Sequence, residues 1–218
     1  MREGLLLEMR RELRGEVLAD EPLARHTSWR LGGPADLFVA PADRADLLAA
    51  LRLLAAAGCP WLVLGGGSNL LVRDGGVRGA VLHTGHINQA EFGEDGTVRA
   101  GGGLPLAALI REAARRGLAG LEELAGIPGS VGGAVAMNAG AGGHELGEVV
   151  SAVTLAGEKG LFTTTDPIKL IDKGEEIDIL VEVSGDASLK KVIKDEFQKS
   201  GNRKTIIMHD LIARLFIS

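Results

Sequence analysis

Trp61-Leu62-Val63-Leu64-Gly65-Gly66-Gly67-Ser68-Asn69 is the stretch on which the fold turns. Four apolar residues make a buried-strand candidate that runs directly into three consecutive glycines and two small polar side chains. Tandem glycines at a strand end let the backbone adopt φ > 0 and bring its N–H groups up to an anion, with no Cβ to hold the anion off. Ser68 and Asn69 add side-chain donors. A tight strand connection would use the same residues, so the loop alone leaves both readings open. Upstream, Asp36 to Val39 reads as a strand. Pro41 and Asp43 then lead into a helix on which Leu47, Leu48, Leu51, Leu54 and Ala55 recur at helical spacing, stopped by Gly58 and Pro60. Strand, helix, strand and glycine loop form an α/β unit.

The loop differs from the nicotinamide-dinucleotide fingerprint. Leu70 stands where a third Gly or Ala is needed, and Leu71 and Val72 with Asp74-Gly75-Gly76 read as a further strand and turn where a helix is required. A Walker lysine is absent as well. Residues 2–18 carry Leu6, Met9, Leu13 and Val17 near one face, which predicts an opening amphipathic helix. Val98 to Ala100 reads as a strand, Gly101 to Gly103 as a turn, and Leu104 to Arg116 as a helix ended by Gly117.

The densest signal follows: Gly126-Ile127-Pro128-Gly129-Ser130-Val131-Gly132-Gly133-Ala134-Val135-Ala136-Met137-Asn138-Ala139-Gly140-Ala141. It is free of charge and crowded with small residues. A tightly packed helix would explain that composition, but uncommitted amides with Ser130 and Asn138 as polar handles favour a flat or phosphorylated ligand.

A length of 218 residues, 45% hydrophobic and 24% charged, suits one large globular domain or two small ones. The net charge of −5, pI near 5.6, 3% aromatics and absence of Tyr argue against nucleic acid as a partner. Cys59 stands alone and no Cys/His cluster has zinc spacing, which fits a reducing cytoplasm. No apolar run approaches the ~18–20 residues of a membrane span, and Leu5-Leu6-Leu7 is too short for a signal-peptide core, so a cytoplasmic protein with no membrane partner is expected.

Residues 1–158 hold 14 Arg and no Lys, whereas 159–218 hold 8 Lys and 2 Arg. Gly falls from 28 to 4 across that cut and Ile rises from 3 to 9. Arg and Lys are near-equivalent at solvated positions, so no fold demands such a switch, and the two parts read as having different origins. In the second part Leu161 to Thr164 and Ile177 to Val183 read as strands. Helices are expected from Asp166, with Pro167 at its first position, and from near Asp186. Thr205 to Met208 follows as a strand and Leu211 to Ile217 as a last helix. That alternation predicts a parallel sheet with crossovers. His209 and Asp210 are best explained as a solvated residue and a helix cap, Lys190, Lys191 and Lys194 as a solvated helix face, and His83, His86 and His144 as surface histidines.

Three segments in order, Thr27-Ser28-Trp29-Arg30-Leu31-Gly32-Gly33-Pro34-Ala35-Asp36, Leu64 to Val72 and Gly126 to Ala141, resemble the UDP-N-acetylenolpyruvoylglucosamine reductase family over residues of about 20 to 155. The resemblance implies an α+β fold, a two-subdomain, vanillyl-alcohol-oxidase-like FAD-binding domain over 1–84 and 85–157, while the alternation of strands and helices makes 158–218 an α/β Rossmann-like segment of different origin. It also implies FAD as cofactor, NADPH as hydride donor and a UDP-sugar enolpyruvyl ether as substrate. By the same resemblance Gly65, Gly66, Gly67, Ser68 and Asn69 hold the pyrophosphate, while Gly126, Ile127, Gly129, Ser130, Val131, Gly132 and Asn138 line the flavin side. The family's catalytic Tyr-Arg motif, its serine and its substrate domain have no counterpart here, since the sequence has no Tyr, Ser184, Ser188, Ser200 and Ser218 stand in other settings, and no room remains for the domain. No catalytic residue is therefore assigned. Ile177 to Asp186 is similar to part of a homoserine-dehydrogenase-like nucleotide-binding domain. Two other readings stay open, a hybrid α/β scaffold without activity and a fragment of a nicotinamide-dependent dehydrogenase. Exposed sheet edges would favour a homodimer.

Overall fold

The computed structural model describes residues 2–157, 160–164 and 179–185. The chain opens with α1 (Arg2–Glu12) and turns into β1 (Glu16–Pro22). The helix expected over 2–18 thus ends at Glu12, for a tertiary reason. The buried Asp46 carboxylate accepts the N–H groups of Arg14 at 2.9 Å, Gly15 at 2.8 Å and Ala42 at 2.9 Å, which fixes the turn. Val17 still reaches the core, from a strand position opposite Val39.

Next come β2 (Pro34–Ala40), α2 (Arg44–Ala56), β3 (Trp61–Leu64) and β4 (Val77–His83). Asp43 caps α2 by accepting the Asp46 N–H at 3.0 Å and pairs with Arg14 at 2.5 Å. The capping N–H first, and then Arg14, hold its carboxyl below the usual carboxylate range. The sheet order is β1-β2-β4-β3, with β1 antiparallel to β2 and with β2 and β3 parallel to β4 between them. Leu47, Leu51 and Leu54 of α2 pack with Met9, Leu37 and Leu82. Leu71 and Val72, expected as a strand, are irregular: their segment runs beside the 32–33 backbone, where the Gly33 N–H donates to the Arg73 carbonyl at 2.9 Å.

The second half contains β5 (Ala90–Phe92), β6 (Val98–Gly101), α3 (Leu106–Arg115), α4 (Val131–Ala136), the small pair β7 (Gly140–Ala141) and β8 (His144–Glu145), then β9 (Ala152–Gly157), β10 (Gly160–Thr164) and β11 (Ile179–Gly185). Its larger sheet has the order β10-β9-β11-β6-β5 and is antiparallel throughout. Leu106, Leu109, Ile110 and Ala113 of α3 pack with Ala100, Leu124, Val131 and Val153.

The parallel sheet expected after residue 158 is not what the two described strands of that part form. β10 returns antiparallel to β9, because only two residues separate Gly157 from Gly160 and so short a link reverses the strand, and β11 pairs antiparallel with both β9 and β6. The helices expected from Asp166 and near Asp186, the strand Thr205 to Met208, the final helix Leu211 to Ile217, the lysines 190, 191 and 194, and His209 with Asp210 lie outside the described residues.

Candidate functional site

The loop Gly65 to Asn69 leaves β3 at the carboxyl end of the parallel strands, where Leu64 lies beside His83 of β4. Open sheets commonly present ligand sites at such strand ends. The loop is clasped from two sides. On one side the Ser28 N–H donates to the Gly67 carbonyl at 3.0 Å, and Gly67, with φ of 62°, sits so close to His26 that a Cβ would strike the His26 carbonyl. On the other side the Ser68 hydroxyl donates to the Pro128 carbonyl at 3.3 Å. A Cβ on Gly66 would lie 2.9 Å from Gly129 Cα, one on Gly129 would lie 2.6 Å from Ser68 Oγ, and one on Gly65 would strike Ser130 Oγ. The two glycine-rich stretches therefore meet face to face. Part of the glycine requirement is this loop-on-loop contact, and what is left for a ligand is a rim of N–H groups.

That rim is narrower than composition suggests. Ser130, 3% exposed, is the N-cap of α4 and accepts the Gly133 N–H at 3.3 Å. The Val131 N–H donates to Leu104 O at 2.8 Å and the Gly132 N–H to Gly102 O at 2.7 Å, so these amides are committed. The Ile127 N–H donates to Leu124 O at 3.2 Å and its side chain packs against the second core. Asn138, with φ of 44°, donates from Nδ2 to Glu145 at 2.6 Å and accepts the Gly147 N–H at 3.0 Å, tying down the β7–β8 region. The expectation that the long segment keeps uncommitted amides holds only at its start. Among the described residues, the N–H groups of Gly66, Gly67, Ser68 and Asn69, and of Gly126, Gly129 and Ser130, donate to no protein acceptor. Backbone donors left this way need water or a ligand. The two sets converge on one rim, and that arrangement suits an anionic bridge such as a diphosphate.

Behind the loop lies a group that the sequence did not announce. His26 Nε2 is 3.0 Å from Oε1 of the buried Glu21, and the His26 ring stacks on Phe38 with centroids 4.2 Å apart. The His83 ring lies 5.6 Å from that of Phe38 and 5.8 Å from that of His26, centroid to centroid. Burial pushes the His83 imidazole down to about 4, with His26 and His86 adding repulsion. His83 is thus no surface histidine. Its neighbours His26, after a 3-10 turn, and Phe38, inside β2, are far from it in sequence, and local pattern cannot bring them together. His86 and His144 are exposed, as expected. No group of three His, Cys, Asp or Glu is placed to hold a metal among the described residues, and none of their helices is long and apolar enough to cross a membrane.

Comparison with known proteins points to one kind of protein. A family described as an FAD binding domain matches residues 35–166, which include both glycine stretches. The chain is 55% identical over 149 residues to UDP-N-acetylenolpyruvoylglucosamine reductase of Syntrophotalea carbinolica, covering 68% of this chain and 50% of that protein. It is 50% identical over 167 residues to the reductase of the same name from Geobacter metallireducens, covering 76% and 56%. The chain thus spans about half the length of these curated relatives. Among solved structures it is similar to the reductase of Thermus caldophilus, with a TM-score of 0.62 and 30% identity over 88% of this chain and 70% of that one.

Proposed function

The chain belongs to the FAD binding domain family, in its UDP-N-acetylenolpyruvoylglucosamine reductase branch, and from that premise we propose that it holds FAD at the rim where its two glycine stretches meet. The observation that carries this reading is the pair of unspent amide sets, 66–69 and 126, 129 and 130, on segments that touch through Gly66 and Gly129. The amides of Gly66, Gly67, Ser68 and Asn69 would donate to the pyrophosphate, with Gly65 admitting Ser130 beneath the loop. Gly126, Ile127, Gly129 and Ser130 would edge the flavin side. Val131, Gly132 and Asn138 serve that edge by fixing it, since their donors are already in use.

When bound, FAD supplies the hydride chemistry of the family, with NADPH as donor and a UDP-sugar enolpyruvyl ether as acceptor. The protein's own part in such a reaction is to position the ring, exclude water and deliver a proton. The rim supports the first task. For the last, the sequence offers no Tyr-Arg pair, so this chain is read as binding the cofactor while turning substrate over slowly or not at all. We read residues 1–84 and 85–157 as the two halves of the cofactor domain; the separation of the two sheets supports the boundary between them, and the second sheet also takes in β10 and β11 from beyond residue 157. A cytoplasmic location is supported by the lone Cys59. Self-association into a homodimer would cover the outer strands of the two sheets.

The test is the visible spectrum of purified protein after incubation with FAD and gel filtration: a retained flavin band near one equivalent is expected, and colourless, folded protein would overturn the reading. The Arg-to-Lys switch at residue 159 favours a second reading, a hybrid scaffold in which 158–218 has another origin. Cooperative unfolding with no affinity for FAD would select it.

A further inference from the structure

Large apolar side chains are exposed at few described positions, and three of them gather beside the proposed cofactor rim: Trp29 at 68%, Leu31 at 55% and Leu71 at 56%. They stand on two loops, 27–33 and 70–73, whose backbones pack together. The Gly33 N–H donates to Arg73 O at 2.9 Å, and a Cβ on Gly32 would lie 2.7 Å from Val72 Cβ. The first loop is fastened to the glycine loop by the Ser28–Gly67 bond and closed on itself, where the buried Thr27 hydroxyl donates to Leu31 O at 2.8 Å and the Arg30 N–H to Thr27 O at 3.0 Å. The indole is therefore displayed on a fixed backbone one residue from a direct contact with the glycine loop.

Arg30 follows, held at φ of 53°, a conformation a residue with a long side chain seldom adopts, and its guanidinium has no ion-pair or hydrogen-bond partner among the described residues. A displayed indole, an unpaired guanidinium and unspent backbone amides side by side match the three parts of a nucleotide ligand: a flat ring, its negative charge and its phosphate oxygens. An apolar segment of another protein would use the leucines but would leave the cation and the amides without a purpose.

We propose that Trp29 is a stacking platform for a flat heterocycle of the bound dinucleotide, and thus a determinant of cofactor affinity in this chain. The proposal rests on the FAD reading above. Fixing the loop backbone before binding reduces the ordering cost, which is what the Ser28, Thr27 and Arg30 bonds achieve.

The test uses the full chain with Trp61→Phe, which leaves Trp29 as the sole indole. FAD is expected to quench its emission by more than half, and titration with ADP and with FMN identifies whether the adenine or the flavin half lies on it, either outcome being stacking. Trp29→Ala should weaken FAD binding about tenfold, within the range for loss of one base–aromatic stack, whereas Trp29→Phe should stay within about threefold of the parent. Both variants should keep the parent's melting temperature, since the side chain lies mostly in solvent. FAD binding by Trp29→Ala at the parent's affinity, with Trp29 emission unchanged on saturation, would overturn the proposal and leave the FAD reading intact. A parent chain that binds no FAD would overturn both.

Discussion

The two glycine-rich stretches look alike in sequence and do opposite things. In the loop after β3, the amides of residues 66–69 are left over after every packing contact is made. In the segment that becomes α4, each amide from Val131 to Ala134 is consumed by a neighbouring turn, by the Ser130 cap or by the helix itself. Glycine content therefore says that backbones can come close, and only a donor-by-donor account says whether they come close to a ligand or to each other.

The contrast breaks first at Gly67. A Gly67→Ala substitution adds a Cβ at φ of 62° against the His26 carbonyl and should cost roughly 3 kcal/mol in urea unfolding, together with flavin retention. An effect below about 1 kcal/mol would show that the clasp is loose.

Acid should strike the same region and spare the other. His83 prefers the neutral form in the fold, with a value near 4 against an ordinary 6.5, so between those pH values the unfolded chain binds more protons. Its contribution is complete above about 6.5 and is lost as pH falls towards 4, amounting to roughly 2 kcal/mol once its partial solvent exposure is allowed for. Unfolding curves across that window should flatten in His83→Asn, and a slope that persists would place the titration elsewhere.

On the α4 side, Ser130→Ala removes the cap and should cost about 1 kcal/mol in thermal unfolding. Its effect on FAD affinity should be smaller than that of Gly67→Ala, because the Ser130 side chain is already in use; the reverse order in a titration would make the hydroxyl a direct ligand. The mildest test is Gly133→Ala, an exposed position in α4 with a Cβ in tolerable contact at 3.4 Å from Ser130 Oγ. It should gain about 0.5 kcal/mol in the same measurement, since Ala outperforms Gly in a helix. A loss would mean that α4 needs its glycine for more than packing.

Much of the frame could be read in advance because its signals are local. Trp61–Leu64 is the strand expected, Asp43 opens the helix expected, and the two glycine stretches singled out in the sequence pack against each other. What escaped depends on distant partners. The leucine spacing through Val17 looks helical because strand β1 happens to continue the same buried face, and the break comes from Asp46, far along the chain. β4, the strand between β2 and β3, was hidden by Gly79 and Arg78 inside an otherwise apolar run, although Gly79 is needed there, with φ of 109° and a Cβ that would strike the Pro60 carbonyl. Glu21, His26 and His83 carry no shared motif. At the rim itself, sequence indicated which residues gather but not which N–H groups remain after Gly102 and Leu104 have taken theirs.

β11 lies between β9 and β6, although it comes from beyond the point where arginine gives way to lysine. The late segment is thus a keystone and no appendage. A chain shortened ahead of residue 179 would open the five-stranded sheet down its middle and leave two facing rows of unsatisfied peptide groups, with β5 and β6 cut off from β9 and β10. Whatever its ancestry, that ribbon has become indispensable to the architecture that receives it.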